Sequence, residues 1–322
     1  MIFVSLLVHE QPEVVVDTCK NFLSCLSNSR IILHVSKTAT FGGNELMQKL
    51  IQDSLQDRVL INPNSVETSW GSIIQAHLCN ADYISELSDK NDANFICFHA
   101  SNDLLIKKNL DFWIKKKGNI FHLREYETPN LWWPMREAFK DKKLIFLLKH
   151  LGLKDKLFGG QIEGSCYELN SFLEIKNIIE RSAILEDNSV WYPREEIIFP
   201  SIAYTLGLKP EASPYIYSEL HDIDYHSWKV WKLIDKYWRL PRGKNFAKRE
   251  FYNFLVKAGI FSMTPNRVDQ IRKSKFKDLY FDDGSSIWCP YPDKSGIYGV
   301  KRVKRDMTDK ARTYIRDLTL GD

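Results

Sequence analysis

Short apolar runs alternate with amphipathic stretches along the first half of the chain. The apolar runs predict buried strands over residues 2–8, 30–35, 59–61 and 94–99. The stretches between them predict helices over residues 12–26, 44–55, 71–88 and 108–116. In the third of these stretches, apolar side chains recur with helical spacing, at positions 73, 74, 78, 81, 84 and 87. This alternation of strand and helix predicts an α/β fold with a mostly parallel central sheet flanked by helices.

The second half of the chain is less regular, but no break between domains is visible. Helices are predicted over residues 169–182, from about residue 194, and over residues 307–318. The chain after Pro210 is rich in Trp, Tyr and Lys, and no linker, repeat or low-complexity tract separates it from the rest. We therefore predict one domain with an elaborated C-terminal part, divided into residues 1–120, 121–240 and 241–322.

The composition is typical of a globular protein with a large core. Hydrophobic residues make up 44% and charged residues 27% of the 322 residues, which argues against disorder. Nine Trp fit either a large core or a cleft that stacks on sugars or bases. Six Cys at irregular spacing predict buried, reduced thiols. Because no apolar run approaches the ~18 residues of a membrane span and no signal-peptide pattern opens the chain, we expect a cytoplasmic protein.

The distribution of charge indicates an anionic partner. The net charge is +4, yet residues 241–322 hold 18 Lys and Arg against 10 Asp and Glu. A basic C-terminal part of this kind fits nucleotide phosphates, a nucleic acid or an acidic membrane face. The sequence contains no helix-turn-helix, RNP or zinc-finger pattern, so we expect no nucleic-acid partner.

Two adjacent carboxylates, Glu195 and Glu196, stand at the predicted helix start after Pro193, just before an apolar run. Burial at this place would raise the pKa of a carboxyl group, and such a group can act as a general base on a sugar hydroxyl. The alternative is that both residues only complement the positive end of the helix.

A basic segment, residues 299–305, contains the paired cations Lys301 and Arg302. Paired cations can neutralise a diphosphate leaving group without a metal ion. The alternatives are a solvated basic surface and a polybasic patch on a membrane.

Polar residues follow several of the predicted strands, where sheets of this type bind their ligands. Among these residues are His9, Ser36 and Asp103. Residues 64–72 also follow a strand and open a helix, and a helix start after a polar loop suits a phosphate or a sugar. The alternative for this segment is simple capping of the helix by Ser69.

Seven segments with recognisable motifs occur in a fixed order along the chain: residues 5–9 (SLLVH), 32–37 (ILHVSK), 65–72 (SVETSWGS), 95–110, 164–169 (GSCYEL), 195–199 (EEIIF) and 300–303 (VKRV). Together they resemble the core-2/I-branching β-1,6-N-acetylglucosaminyltransferases, glycosyltransferase family 14, and in particular its bacterial members. The resemblance spans residue 1 to about 316. It implies a GT-A-type fold, inversion at the anomeric carbon and activity without a metal ion.

The resemblance also implies roles for individual residues. Glu196 takes the place of the catalytic base, with Glu195 as its rival because Arg-Glu-Glu replaces the family's Pro-Asp-Glu. Lys301 and Arg302 take the place of the residues that stabilise the leaving diphosphate. The expected donor-binding residues are His9, Ser36, Trp70, Ser72 and Asp103. The expected acceptor-binding residues are Trp132, Trp133, Arg136 and Tyr167, with ordinary core aromatic residues as the alternative for the Trp side chains.

An acidic pair that would suit Mg²⁺ or Mn²⁺, Asp222 and Asp224, lies far downstream in residues 221–226. In metal-dependent nucleotide-sugar transferases such a pair normally closes a central strand. The strand over residues 94–99 runs instead into a segment with one acid only, Asp103. We therefore expect neither a metal ion nor another cofactor.

These expectations combine into one reaction. We expect transfer of a sugar, with N-acetylglucosamine favoured, from a UDP-sugar to a saccharide or lipid-linked saccharide during surface polysaccharide synthesis. The enzyme would work in the cytoplasm or peripherally at the inner membrane face. Ser36 replaces the family's Asp that helps to hold the nucleoside, so the base and the sugar stay open. The alternatives are a non-catalytic glycan- or lipid-binding subunit of an assembly complex and a metal-dependent GT-A enzyme with another donor.

Overall fold

The fold is organised around a central sheet. A computed structural model describes residues 1–9, 11–68, 73–88, 93–127, 133–153, 156–186, 192–218, 254, 262–275 and 293–321. Within these ranges the central sheet has the strand order β3-β2-β1-β4-β8. Its strands are β1 (Ile2–Val8), β2 (Ser29–Val35), β3 (Val59–Ile61), β4 (Phe95–Ala100) and β8 (Cys166–Glu168).

The central sheet is parallel except at one edge. β1 pairs with β2 and with β4 in the parallel sense, β2 pairs with β3 in the same sense, and β8 runs antiparallel to β4. Every residue of β1 is buried, because helices cover both faces of the sheet, as a parallel sheet requires. This arrangement confirms the predicted α/β class with a mostly parallel central sheet flanked by helices.

Side chains of each central strand alternate between two cores. The first core contains Phe3 and Ile96, and the second contains Val4 and Leu6. The helices that contribute to the first core are α3 (Ile74–Leu87), α5 (Trp133–Ala138), α6 (Lys142–His150), α7 (Leu169–Glu180) and α8 (Glu195–Thr205). Those that contribute to the second core are α1 (Pro12–Cys25), α2 (Gly43–Gln52) and α4 (Leu110–Lys117).

Short strands bring the C-terminal part of the chain back to the central sheet. β10 (Gly299–Val300) pairs antiparallel with β5 (Leu104–Leu105) and parallel with β9 (Ile216–Tyr217). A Cβ atom at Gly299 would lie 2.8 Å from the Leu104 carbonyl oxygen, so glycine permits this close approach. A separate pair is formed by β6 (Arg124–Tyr126) and β7 (Leu157–Gly159). The residue after β10 is therefore held near the segment that follows β4.

The C-terminal helix is tied to the first helix by buried charges. Helices α9 (Pro265–Arg272) and α10 (Lys310–Leu320) form a third core together with β5 and β10. Arg312 on α10 is fully buried, and its Nη1 donates to Oδ2 of Asp17 on α1 at 2.7 Å. Arg316 Nε donates to Oδ1 of the same carboxylate at 2.6 Å. One buried aspartate thus anchors the end of the chain.

The element boundaries follow the sequence closely in the first half. β1 and β3 have the predicted bounds, β2 begins one residue before the predicted start, and β4 is shifted by one residue at both ends. The helix predicted over residues 44–55 ends earlier, at Gln52, where Ser54 adopts a left-handed backbone with φ of 54°. The helix predicted from residue 307 begins at Lys310, because Asp309 caps it by accepting from the Ala311 and Arg312 N–H groups.

The cysteines agree with the prediction of free thiols. Cys19, Cys25, Cys97 and Cys166 are free and buried, and Cys79 is free and partly buried. Cys289 lies outside the described residues. Across the part of the chain that the structure describes, no helix combines the length and the apolar character needed to cross a bilayer.

Candidate active site

The turn between β7 and β8 positions a buried glutamate that the sequence did not single out. Gly164 in this turn has φ of 78°, and a Cβ atom there would lie 2.6 Å from the Ile216 backbone nitrogen. The Gln161 side chain donates from Nε2 to the carbonyl oxygens of Glu163 (2.6 Å) and Ile216 (2.8 Å). The turn is therefore fixed against β9, and the Glu163 side chain with it.

Glu163 forms an ion pair with Lys301, the residue that follows β10. Lys301 Nζ donates to Glu163 Oε1, and the side chains are 22% and 11% exposed. Burial alone would raise the pKa of Glu163, but the charge and the hydrogen bond of Lys301 outweigh it and lower this pKa below its ordinary value. Burial acts to lower the pKa of Lys301, yet Glu163 and Asp103 raise it. Both partners are therefore charged at neutral pH.

A buried network lies at the carboxyl end of β4, around Asp103. His99 Nδ1 lies 3.2 Å from Asp103 Oδ2, and His99 Nε2 lies 2.7 Å from the Tyr215 hydroxyl. The Ala100 N–H donates to the same Asp103 oxygen at 3.0 Å. Burial raises the pKa of Asp103, against the hydrogen bond from His99, and the nearby Glu163 charge raises it further. This network joins the end of the central sheet to the Glu163–Lys301 pair.

The start of α8 brings two more carboxylates to the same cluster. Glu195 is 3% exposed, whereas Glu196 is partly exposed. Burial raises the pKa of Glu195 to about 8, against a hydrogen bond from its own backbone N–H. Burial, followed by the charges of Glu163 and Glu195, raises the pKa of Glu196 well above its ordinary value. The Lys301 charge opposes both shifts, so these groups share one electrostatic environment.

The backbone at the start of α8 is held from two sides. The Gly160 N–H donates to the Glu196 carbonyl oxygen at 2.9 Å, which ties α8 to the end of β7. Arg194, just before the helix, is buried, and its Nε donates to Asp141 Oδ2 at 2.9 Å while its Nη1 donates to the Ile184 carbonyl oxygen at 2.8 Å. These contacts set the position from which Glu195 and Glu196 extend.

A small cavity borders Glu195. Tyr167, an expected acceptor-binding residue, lies at its edge, but the ring is 2% exposed and stacks on Phe121 at a centroid distance of 4.7 Å. Tyr167 is thus also a core residue. The lining residues are Phe121, His122, Gly160, Gln161, Ile162, Ser165, Tyr167, Glu195, Phe199 and Pro200.

At the carboxyl end of β2, Ser36 is buried and organises the loop that follows β3. Its Oγ accepts from the Thr68 N–H at 3.2 Å and from the Thr38 N–H at 3.3 Å. His34 is also buried, and its Nε2 accepts from the Val66 N–H at 3.1 Å. His9 is exposed after β1. Trp70 and Ser72, which follow this loop, lie outside the described residues.

Of the residues expected to bind the substrates or to catalyse the reaction, the structure brings four together. They are Asp103, Glu195, Glu196 and Lys301. Arg302 adjoins Lys301 with a left-handed backbone (φ 70°), and its carbonyl oxygen accepts from the Met263 N–H at 3.1 Å. The missed member is Glu163. The one local signal for Glu163 in the sequence was its position directly before residues 164–169, one of the seven segments of the family resemblance.

The structure describes only some of the residues expected to bind the acceptor. Arg136 lies on α5 and is partly buried, and Trp133 is the first residue of that helix. Trp132 and the acidic pair Asp222 and Asp224 lie outside the described residues. Among the side chains that the structure describes, no group of three or more His, Cys, Asp or Glu is arranged to hold a metal ion.

Comparisons with known proteins find structural similarity without a match in sequence. No family model and no curated protein matches the chain. Among solved structures, the chain is similar to a crystal structure of an active-site mutant of LgtC, with 9% sequence identity and a TM-score of 0.42. That alignment covers 99% of this chain and 95% of the other.

Proposed function

We propose that this protein is a glycosyltransferase of the GT-A type that moves a sugar from a nucleotide sugar to a saccharide hydroxyl with inversion. The observation that carries the proposal is the cluster in which Glu196 and Lys301 share one environment at the carboxyl end of the central sheet. A carboxylate with a raised pKa can remove the proton of a hydroxyl group. A cation beside it can stabilise the departing diphosphate.

In the proposed reaction, the acceptor hydroxyl approaches the anomeric carbon from the face opposite the diphosphate. The Glu196 carboxylate takes the hydroxyl proton while the new carbon–oxygen bond forms and the bond to the diphosphate breaks. The electron pair of the broken bond leaves with the diphosphate, and Lys301 and Arg302 offset its growing negative charge. Lys301 has three N–H donors, so its bond to Glu163 leaves donors for a phosphate oxygen.

Glu196 is a better candidate for the base than Glu195 on grounds of access. Glu195 is almost completely buried and accepts a hydrogen bond from its own backbone. Glu196 is partly exposed, so it is the more accessible of the two to an acceptor hydroxyl. The pKa of each group is raised, so access is the property that separates them.

The finer assignments rest on the family resemblance of the sequence. We propose a UDP-linked donor, N-acetylglucosamine as the transferred sugar, and a reaction that needs no metal ion. The acceptor would be a saccharide or a lipid-linked saccharide, and the enzyme would act on the cytoplasmic side. His9, exposed after β1, would then contact the donor, and the buried Ser36 and Asp103 would hold the segments at the ends of β2 and β4 that face it.

Substitution of the two adjacent carboxylates tests the proposed base. Glu196→Gln is expected to lower the transfer rate by about 10²–10⁴-fold, the usual share of a general base. Glu195→Gln is the matched control, because it removes the neighbouring carboxyl group and keeps the side-chain volume. Rates are measured with UDP-N-acetylglucosamine and a set of saccharide acceptors. If Glu196→Gln retains its rate and Glu195→Gln loses it, the role of base belongs to Glu195.

A further inference from the structure

Helix α6 carries an exposed face that the proposed chemistry does not use. Leu144 and Leu148 are buried in the first core and hold the helix on the protein. Five side chains on the other side are exposed, and their spacing of three, four and seven residues places them on one stripe of the helix. This stripe, the α6 face, consists of Lys142, Lys143, Phe146, Lys149 and His150.

An aromatic ring lies at the centre of the α6 face. Phe146 is 66% exposed, and its ring lies beside the His150 ring at a centroid distance of 4.1 Å. Isolated exposed apolar residues are common in proteins. Phe146 is not isolated, because Lys142, Lys143 and Lys149 lie on both sides of it along the same nine-residue helix.

The charge around this ring is mainly positive. The sequence of α6, KKLIFLLKH, contains no acidic residue. Asp141, which caps the helix, is buried and bonded to Arg194. The neighbouring 3-10 helix Ala183–Glu186 adds one exposed acid, Glu186, and the Lys143 Nζ donates to the Ala183 carbonyl oxygen there at 3.3 Å. Cations therefore outnumber anions around Phe146.

We propose that the α6 face docks this protein on the surface of an anionic lipid bilayer. At such a surface the phosphates lie just outside the hydrocarbon, so lysine side chains can reach phosphates while an aromatic ring enters the boundary below them. The α6 face presents both elements together, with cations around one apolar ring. A duplex nucleic acid would pair with the lysines, but its bases are already stacked on one another and would leave the ring without an apolar layer.

Docking through α6 would also orient the candidate active site. Asp141 caps α6 and binds Arg194, the residue directly before Glu195. The start of α8 is therefore joined to the membrane-facing helix by a buried ion pair. This geometry suits an acceptor that is itself anchored in lipid, a conclusion that rests on the proposed function. Docking as such does not depend on catalysis, so the two proposals can fail separately.

Vesicle binding tests the α6 face on the full-length protein. The protein should sediment with vesicles of phosphatidylcholine and phosphatidylglycerol and much less with vesicles of phosphatidylcholine alone. Replacement of all three lysines, Lys142→Gln, Lys143→Gln and Lys149→Gln, should lower binding on the order of 100-fold, since each lysine near an anionic surface contributes about fivefold. Phe146→Ser should lower binding by about tenfold. High salt should weaken the binding of the unsubstituted protein.

Helix α4 supplies a matched control on the other side of the central sheet. It packs on the second core and carries Phe112, which is 69% exposed, beside the exposed Lys115 and Lys116. Phe112→Ser with Lys115→Gln and Lys116→Gln should leave vesicle binding unchanged. Any of three results would overturn the proposal. They are equal losses of binding in the α4 and α6 variants, equal binding to both kinds of vesicle, and tighter binding to duplex DNA than to anionic vesicles. Sugar-transfer assays without membranes are independent of this result.

Discussion

At the scale of single residues, Glu163 acts electrostatically on four other groups of the candidate site. Its carboxylate pairs with Lys301 and raises the pKa values of Asp103, Glu195 and Glu196. A charged group that is not itself the proposed base can therefore set how readily that base holds a proton. Glu163 is a positioning residue in this scheme, because it acts through Lys301 and through Glu196.

The pH dependence of transfer should report this influence. The proposed base must be ionised, so kcat/KM should fall as the pH drops through the raised pKa of Glu196. Glu163→Gln removes a negative charge and leaves the Lys301 charge uncompensated, and both changes lower the pKa of Glu196. The acidic limb of the kcat/KM profile should therefore move to lower pH in this variant.

An exposed acid at the other end of the central sheet, opposite Phe95 at the start of β4, provides the control for this experiment. Glu168 belongs to β8 and is exposed, so solvent screens its charge. Glu168→Gln should leave the acidic limb in place. A limb that does not move in Glu163→Gln, or that moves to higher pH, would show that Glu163 has only a structural role.

At the scale of elements, the docking of α10 on α1 depends on one carboxylate. Asp17→Asn would leave the fully buried Arg312 without its ionic partner. Loss of one partner of a buried pair should lower the free energy of unfolding by about 3–5 kcal/mol. Urea denaturation measures this change. Because α10 packs in the third core with β10, weaker docking should also loosen the segment that holds Lys301.

An exposed ion pair on the same helix calibrates that effect. Lys20 on α1 pairs with Asp53 at 2.6 Å, with side chains 37% and 36% exposed. Asp53→Asn should change the free energy of unfolding by about 1 kcal/mol or less, because solvent screens exposed pairs. Equal effects of Asp17→Asn and Asp53→Asn would mean that the buried pair does not anchor α10.

At the scale of the whole molecule, the candidate site draws on four distant parts of the chain. They are the end of β4, the turn between β7 and β8, the start of α8 and the residue after β10. A ligand that bridges these parts binds the folded protein only, so it should raise the melting temperature. UDP-N-acetylglucosamine at 100 times its Kd would stabilise the fold by about 2.7 kcal/mol, a shift of several degrees.

The same melting experiment tests the metal-free proposal. The shift caused by the nucleotide sugar should be equal in EDTA and in Mg²⁺. If EDTA abolishes the shift and Mn²⁺ restores it, the reaction needs a metal ion, and Asp222 and Asp224 become the first ligands to substitute. No shift with any nucleotide sugar would favour the non-catalytic binding subunit.

Local sequence determined the layered first half of the protein. Apolar periodicity is a property of neighbouring residues, so β1 to β4 and the helices between them could be predicted to within a few residues. The adjacent pair Glu195–Glu196 and the basic residue Lys301 were likewise visible as local patterns. Their electrostatic proximity was implied by family resemblance alone, since no local pattern joins positions so far apart.

Tertiary structure decided which charges meet. Glu163 and Lys301 are 138 residues apart, and His99 and Tyr215 are 116 apart. They meet because β10 pairs with both β5 and β9 and because the β7–β8 turn packs on β9. Two-residue strands carry too few side chains to show a period, so the sequence alone could not place them. Burial among these contacts then set the raised pKa values of Glu195 and Glu196, a property that belongs to the fold rather than to either residue.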